Sequence, residues 1–146
     1  MKIKTGNPLL LFLIGLSVLS FPAAAVSAEW TDGWVSGQEG FDKVFQSSQT
    51  NRQPFVVYFY AVWCPYCKAF QKKVLSTEKF QKAFADIPKV RADVEKNEEL
   101  AARFNIDSFP RIFIFFSEKH IQEVPASDDP ARFIENVRRT GLTIKS

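Results

Sequence analysis

Hydrophobic and polar positions follow the pattern of an α/β protein. Residues 55–61, FVVYFYA, form an uninterrupted run of β-branched and aromatic side chains. Such a run predicts a strand that is buried on both faces of a sheet. Val90, Ala92 and Val94 alternate with polar residues and predict a second strand. Apolar residues three and four positions apart predict the helices between these strands.

Helices and strands are predicted to alternate along most of the chain. The first predicted elements are a helix near 40–45, a polar connector over 47–53, the strand at 55–61 and a helix that begins after Cys64. They are followed by a helix that is capped by Ser76 or Thr77 and runs to 84, the strand at 90–94 and a helix from 97 to 104. The last are a hairpin of strands 111–116 and 119–124, with its turn at 117–118, and a helix from 128 or 129 to 141. This order predicts the α/β class, with one central mixed sheet and helices on both faces.

The first 28 residues have the pattern of a secretory signal peptide. Lys2 and Lys4 precede an apolar stretch over 9–19, and small residues precede Glu29. The stretch is short for a membrane span, which needs about 20 apolar residues. An uncleaved anchor is the alternative, because looser apolar character extends over 8–26. We expect cleavage after residue 28, a periplasmic or secreted protein without a membrane span, and one domain over 29–146.

Composition limits the class of protein. The chain has 146 residues, of which 46% are hydrophobic, and this is enough for one core and too little for two ordinary domains. An aromatic content of 14% argues against disorder. The formal net charge of +3 includes the two lysines of the predicted signal peptide. The mature chain therefore lacks the basic excess of a nucleic-acid-binding protein, and we exclude nucleic acid as a partner.

The two cysteines, Cys64 and Cys67, are separated by two residues. A disulfide that closes so short a loop stabilises a protein by roughly 2 kcal/mol, against about 3 kcal/mol for a fifteen-residue loop. A zinc site needs about four ligands, and the only histidine is His120. Haem attachment requires histidine where the chain has Lys68. The spacing therefore favours redox chemistry without a metal or cofactor, with a metal site or an inert bridge as alternatives.

The surroundings of the cysteines favour a reactive thiol. Pro65 suits the first turn of a helix, which places Cys64 at the helix N-terminus. Free N–H groups and the helix dipole there stabilise a thiolate. Within a Cys-X-X-Cys pair such a position lowers the pKa of a thiol from about 8.5 to between roughly 3.5 and 7.5. We predict that Cys64 is the nucleophile and that Cys67 resolves the mixed disulfide.

Two segments resemble a known family. Residues 58–68, YFYAVWCPYCK, are similar to the active-site segment of thioredoxin-like proteins, and residues 104–116, FNIDSFPRIFIFF, to their cis-proline segment. The resemblance covers roughly 41 to 141 and is greatest to exported members, such as the thioredoxin-like domain of a periplasmic reductant-relay protein. It implies the thioredoxin-like fold, a cis Pro110 beside the cysteines, and a backbone at Phe109 that pairs with the substrate chain.

The resemblance and the residues together predict a site. The catalytic residues are Cys64 and Cys67, and the expected substrate-binding residues are Trp63, Pro65, Tyr66, Phe109 and Pro110. The three aromatic residues, Trp63, Tyr66 and Phe109, are expected to surround an exposed Cys64 sulfur and to form an apolar binding surface for a client protein. His120 is expected on an edge strand away from this site, and the lysines at 68, 72 and 73 on a solvated helix face.

The chain also departs from the family pattern at two acidic positions. Tyr58 stands where cytoplasmic thioredoxins have a buried aspartate, and Gln71 where the exported relay domain has an acid. A buried carboxylate usually holds or accepts a proton near the reaction. Without one, deprotonation of Cys67 is left to water, to Tyr58 or to the substrate thiol.

The predicted function is reduction of protein disulfides in the periplasm through the Cys64–Cys67 dithiol and a mixed disulfide. The protein is expected to be a monomer that an upstream redox partner re-reduces. The alternatives are a disulfide-forming oxidant of the same fold, a non-catalytic thioredoxin-like docking module and a metal carrier.

Overall fold

Residues 29–146 are the part of the chain that the computed structural model describes, and the predicted signal peptide, residues 1–28, lies outside it. The strands of this part are β1 (Trp34–Ser36), β2 (Phe55–Tyr60), β3 (Lys89–Asp93), β4 (Arg111–Ser117) and β5 (His120–Val124). The helices are α1 (Gly37–Asn51), α2 (Pro65–Phe70), α3 (Glu78–Ala83), α4 (Glu98–Arg103) and α5 (Pro130–Arg139). A π-helical turn, Gln71–Leu75, continues α2.

The strands form one mixed sheet in the order β1-β3-β2-β4-β5. β3 pairs in parallel with β1 and with β2, while β4 pairs antiparallel with β2 and with β5. β2 is the central strand and all six of its residues are buried, which explains its uninterrupted apolar sequence. The predicted α/β class, with a mixed sheet in the thioredoxin-like fold, is confirmed.

Two hydrophobic cores lie on opposite faces of the sheet. Alternate residues of β2 point to opposite faces, so Val56 and Tyr58 belong to one core and Val57 and Phe59 to the other. The first core is completed by buried side chains of α2, α3 and α5, which are Phe70, Phe80 and Phe133. The second is completed by Phe41 of α1 and Leu100 of α4. Helices therefore cover both faces, as predicted.

Side-chain caps define the starts of two helices. The Thr77 hydroxyl accepts a hydrogen bond from the Phe80 N–H at 3.2 Å, and a carboxylate oxygen of Asp129 accepts one from the Ala131 N–H at 2.7 Å. Each cap satisfies a backbone donor that the helix itself leaves unpaired. The sequence predicted either Ser76 or Thr77 as the first cap and either Asp128 or Asp129 as the second, and in each pair the later residue is the cap. Gly141 follows α5 with a φ of 90°, a left-handed conformation typical of a residue after a helix.

The sequence prediction was wrong at several local boundaries. α1 runs to Asn51, so the expected polar connector from Ser47 is mostly helical. Its polar side chains bond within the helix, as the Ser48 hydroxyl does by donating to the Phe45 carbonyl at 3.0 Å. β1 was missed because it has three residues, and the π-helical turn because it lies inside an ordinary helical periodicity. The hairpin turns at 118–119, one residue later than predicted.

Candidate active site

Cys64 caps the N-terminus of α2. Its backbone is extended, with φ −69° and ψ 117°, and Pro65 is the first helical residue. The Cys67 N–H points at the Cys64 sulfur, with 3.1 Å between nitrogen and Sγ. An N–H donor at a helix N-terminus is a group that stabilises a thiolate. The predicted position of Cys64 at the start of a helix is confirmed.

The two cysteines are joined in a disulfide, and both are buried. Cys67 is fully enclosed, whereas Cys64 keeps 2% of its surface exposed. The expectation of an exposed sulfur was therefore wrong for this oxidised form. The Cys64 Sγ lies only 3.7 Å from the carbonyl oxygen of Phe109, so the neighbouring loop covers it. The family resemblance placed Pro110 beside the cysteines, but it gave no measure of how closely a loop 45 positions away covers the sulfur.

The loop before β4 forms the second wall of the site. The peptide bond between Phe109 and Pro110 is cis, as the family resemblance implies. The Phe109 ring packs edge-on against the Trp63 ring, with 5.5 Å between the centroids. Trp63 and Tyr66 remain 57% and 78% exposed. The structure thus brings the predicted substrate-binding residues together around Cys64, and their roles in binding stay predictions.

Glu95 is a residue of this site that the sequence analysis missed. Its carboxylate accepts a hydrogen bond from the indole Nε1 of Trp63 at 2.7 Å. This bond holds one edge of an aromatic ring that is otherwise mostly in solvent. Glu95 follows β3 in a segment of charged residues that matches no recognised motif, so no pattern in the sequence selects it. It lies near Trp63 because β3 pairs with β2, the strand that leads to Trp63.

The residues that replace the two family acids contact each other. The side-chain amide of Gln71 donates a hydrogen bond to the Tyr58 hydroxyl at 3.1 Å. Tyr58 is fully buried, and this burial raises its pKa well above the ordinary value, so the phenol stays protonated and neutral. A neutral phenol is a poor proton acceptor, so this burial disfavours Tyr58 among the three acceptors expected for the Cys67 proton.

Replacing Tyr58 by phenylalanine is expected to change the pH dependence of stability. At pH 7 the variant loses one hydrogen bond, which costs about 1 kcal/mol. Above pH 10.0, the ordinary tyrosine pKa, the unfolded natural chain releases a proton that the folded protein keeps. The stability of the natural protein then falls relative to the variant as pH rises. Urea unfolding of both proteins at pH 7 and pH 10.5 measures this, and an unchanged difference would contradict it.

Arg111 connects the cis-proline loop to the edge of the sheet. Its guanidinium forms two parallel hydrogen bonds to the Glu123 carboxylate of β5, at 2.7 and 2.6 Å. Its third nitrogen, Nη1, donates to the Asn105 carbonyl at 3.3 Å. Because Arg111 directly follows Pro110, these bonds anchor both sides of the loop that covers Cys64. Bidentate pairs of this kind fix the relative orientation of the two side chains better than a single hydrogen bond does.

The Arg111–Glu123 pair predicts a second pH effect. Arg111 holds the pKa of Glu123 below its ordinary value of 4.5, so the pair stabilises the fold above that value and loses its effect as pH falls and the carboxylate protonates. We expect Arg111→Gln to cost about 1 kcal/mol at pH 7, given partial solvent exposure, and less at pH 3.5. Urea unfolding at pH 7 and at pH 3.5 measures the two losses of free energy.

Arg139→Gln, which breaks an exposed pair with Glu135, is the control, and its free energy of unfolding should change little. An equal loss in both variants would contradict the prediction.

The fold, the disulfide at a helix start and the cis-proline loop beside it define a protein of the thiol–disulfide exchange class. The family model described as Thioredoxin matches residues 34–139. The chain belongs to the thioredoxin family, whose members include thiol–disulfide oxidoreductases.

Curated relatives show the same class. The chain is 30% identical over 105 residues to the thiol:disulfide interchange protein DsbD of Yersinia pestis, covering 67% of this chain and 18% of that protein. It is 34% identical over 112 residues to a protein disulfide-isomerase of Ricinus communis, covering 73% of this chain and 22% of that protein. It is 28% identical to thioredoxin-1 of Schizosaccharomyces pombe over 64% of this chain and 87% of that one. The chain thus spans less than a fifth of the DsbD relatives.

Solved structures share the fold. Thioredoxin NaTrxh of Nicotiana alata aligns with a TM-score of 0.61 at 19% identity, over 74% of this chain and 92% of that one. A thioredoxin of Thermus thermophilus aligns with a TM-score of 0.58 at 21% identity, over 75% of this chain and 86% of that one. At this identity the likeness concerns the fold alone.

Proposed function

We propose that this protein reduces disulfide bonds of other proteins outside the cytoplasm, as a monomer that passes two electrons from the Cys64–Cys67 dithiol. The observation that carries the proposal is the Cys67 N–H directed at the Cys64 sulfur at 3.1 Å, at the start of α2 and against the cis-proline loop. This geometry supplies a stabilised sulfur anion and a second thiol one helical turn away.

The proposed reaction has two exchange steps. The Cys64 thiolate attacks one sulfur of a client disulfide, the client S–S bond breaks, and one client thiolate leaves. Cys67, after losing its proton to water or to that thiolate, attacks the Cys64 sulfur and releases the second client thiolate. The protein ends with the Cys64–Cys67 disulfide and the client with two thiols. An upstream dithiol partner must then return two electrons to restore the reduced form.

The contacts of the Cys64 sulfur support the reducing direction. Strong oxidants of this type are strong because their thiolate form is greatly stabilised. The Cys64 Sγ lies 3.1 Å from the backbone nitrogen of Cys67, an N–H donor, and 3.7 Å from the carbonyl oxygen of Phe109, which carries partial negative charge. A nearby carbonyl oxygen opposes formation of the anion, which favours a more reducing couple.

The reduction potential tests the direction of transfer. The Cys64–Cys67 couple, equilibrated with glutathione mixtures and trapped by alkylation, is expected near the thioredoxin value of about −270 mV. A value near about −120 mV, which is typical of a strong oxidant, would show that the protein forms disulfides instead.

The location follows from the predicted signal peptide and needs a separate test. We expect a bacterial cell expressing the full chain to release it with the periplasmic fraction, and N-terminal sequencing to begin at Glu29. Within the described residues no helix is long and apolar enough to cross a membrane. Recovery in the membrane fraction with residues 1–28 still attached would show an anchored protein.

A further inference from the structure

An open groove of about 810 Å³ leads away from the disulfide. It begins at Tyr66, Phe109 and Pro110, beside Cys64, and passes between the active-site helix and the loop that precedes α5. We call it the side groove. Its charged lining residues are Lys73, Asp128 and Arg132, and none of these belongs to the cysteine motif or to the cis-proline loop.

One ion pair spans the side groove. The Lys73 ammonium, from the π-helical turn, lies 2.9 Å from a carboxylate oxygen of Asp128, in the loop before α5. The two side chains are 55% and 72% exposed, so water screens the pair and it contributes little free energy. A carboxylate from a ligand can therefore replace Asp128 as the partner of Lys73 at small cost. With Arg132 included, the lining carries one more positive than negative charge.

We propose that the side groove selects client segments that carry an acidic side chain about four residues to one side of the client cysteine. This inference rests on the proposed function. Lys73 is nine residues after Cys64, which is about 14 Å along a helix at about 1.5 Å per residue. An extended peptide covers that distance in about four residues at about 3.3 Å each. Glutamate or aspartate at that position meets Lys73 and Arg132.

Charge also argues against the chain's own N-terminal segment as the occupant. Residues 1–28 contain Lys2 and Lys4 and no aspartate or glutamate. A segment of that composition would place positive charge against Lys73 and Arg132. An acidic client segment is the occupant with complementary charge.

Peptide disulfides provide the test. Four peptides each carry one cysteine in a mixed disulfide with mercaptoethanol, and glutamate or lysine lies four residues before or after that cysteine. Reduced protein is mixed with each peptide, and the rate of thiol release is measured. We expect glutamate to be favoured over lysine by about fivefold in 0.05 M salt on one side of the cysteine only, and the preference to vanish near 0.5 M salt.

Variants tie the preference to the groove. Lys73→Gln is expected to reduce the glutamate-to-lysine rate ratio by about threefold, and Asp128→Asn to raise it, because Lys73 loses its internal partner. Lys72→Gln, an exposed neighbour that does not line the groove, is the matched control and should leave the ratio unchanged.

The outcomes separate this inference from the proposed function. If all four peptides are reduced at equal rates, or if Lys72→Gln and Lys73→Gln have equal effects, the charge preference is wrong while the reductase activity stands. If none of the peptides is reduced, the proposed function itself is wrong. A preference for lysine would also overturn the inference.

Discussion

Replacing Cys64 by serine is expected to lower the rate of protein-disulfide reduction by at least about a thousandfold. The thiolate is the attacking group in disulfide exchange, and a serine hydroxyl does not ionise near neutral pH. The fold should persist, because the lost disulfide closes a loop of only four residues and contributes roughly 2 kcal/mol. Single-turnover reduction of a protein disulfide, followed by client thiol release, measures the rate.

Cys67→Ser is the matched variant for this experiment. Cys64 keeps its N–H donor in this variant, since the donor at 3.1 Å is the backbone of residue 67 rather than its side chain. The variant should therefore attack a client disulfide and then stop at the mixed disulfide, which mass spectrometry detects as a covalent adduct. If Cys64→Ser retained the biological activity, the protein would be a non-catalytic docking module.

Replacing Phe70 by alanine is expected to cost about 3–5 kcal/mol of stability, the usual loss for a buried phenylalanine. Phe70 is 3% exposed, and its ring packs 5.1 Å from the Phe133 ring and 5.7 Å from the Tyr58 ring, measured between centroids. These contacts attach the active-site helix to α5 and to the central strand β2. Urea unfolding measures the loss.

Phe41→Ala separates stability from reactivity. Phe41 is as deeply buried but lies on the opposite face of the sheet, so its loss should cost a similar amount of free energy. Only Phe70→Ala should also slow alkylation of reduced Cys64, because Phe70, unlike Phe41, lies on the helix that presents the Cys67 N–H. A loss below about 1 kcal/mol for Phe70→Ala, or equal alkylation rates in the two variants, would show that this packing does not position the helix.

The local elements of the site were predictable because their causes lie within a few residues. The apolar run over 55–61 identifies a strand buried on both faces, and Pro65 after Cys64 identifies the start of a helix. Hydrogen-bonding side chains identify helix starts to within one residue, as at Thr77. The family resemblance added the cis bond at Pro110.

Sequence alone determined the strand, the helix start and the spacing of the cysteines, because periodicity, capping and proline geometry act over one or two turns of chain. Tertiary structure alone decided which distant side chains meet. Gln71 meets Tyr58 across 13 positions and Glu95 meets Trp63 across 32, and Cys64 is covered by a loop 45 positions away. These contacts depend on the strand order and on the packing of helices against the sheet. The family resemblance indicated that the loop at Pro110 lies near the cysteines, but no local pattern in the chain indicated the other two contacts.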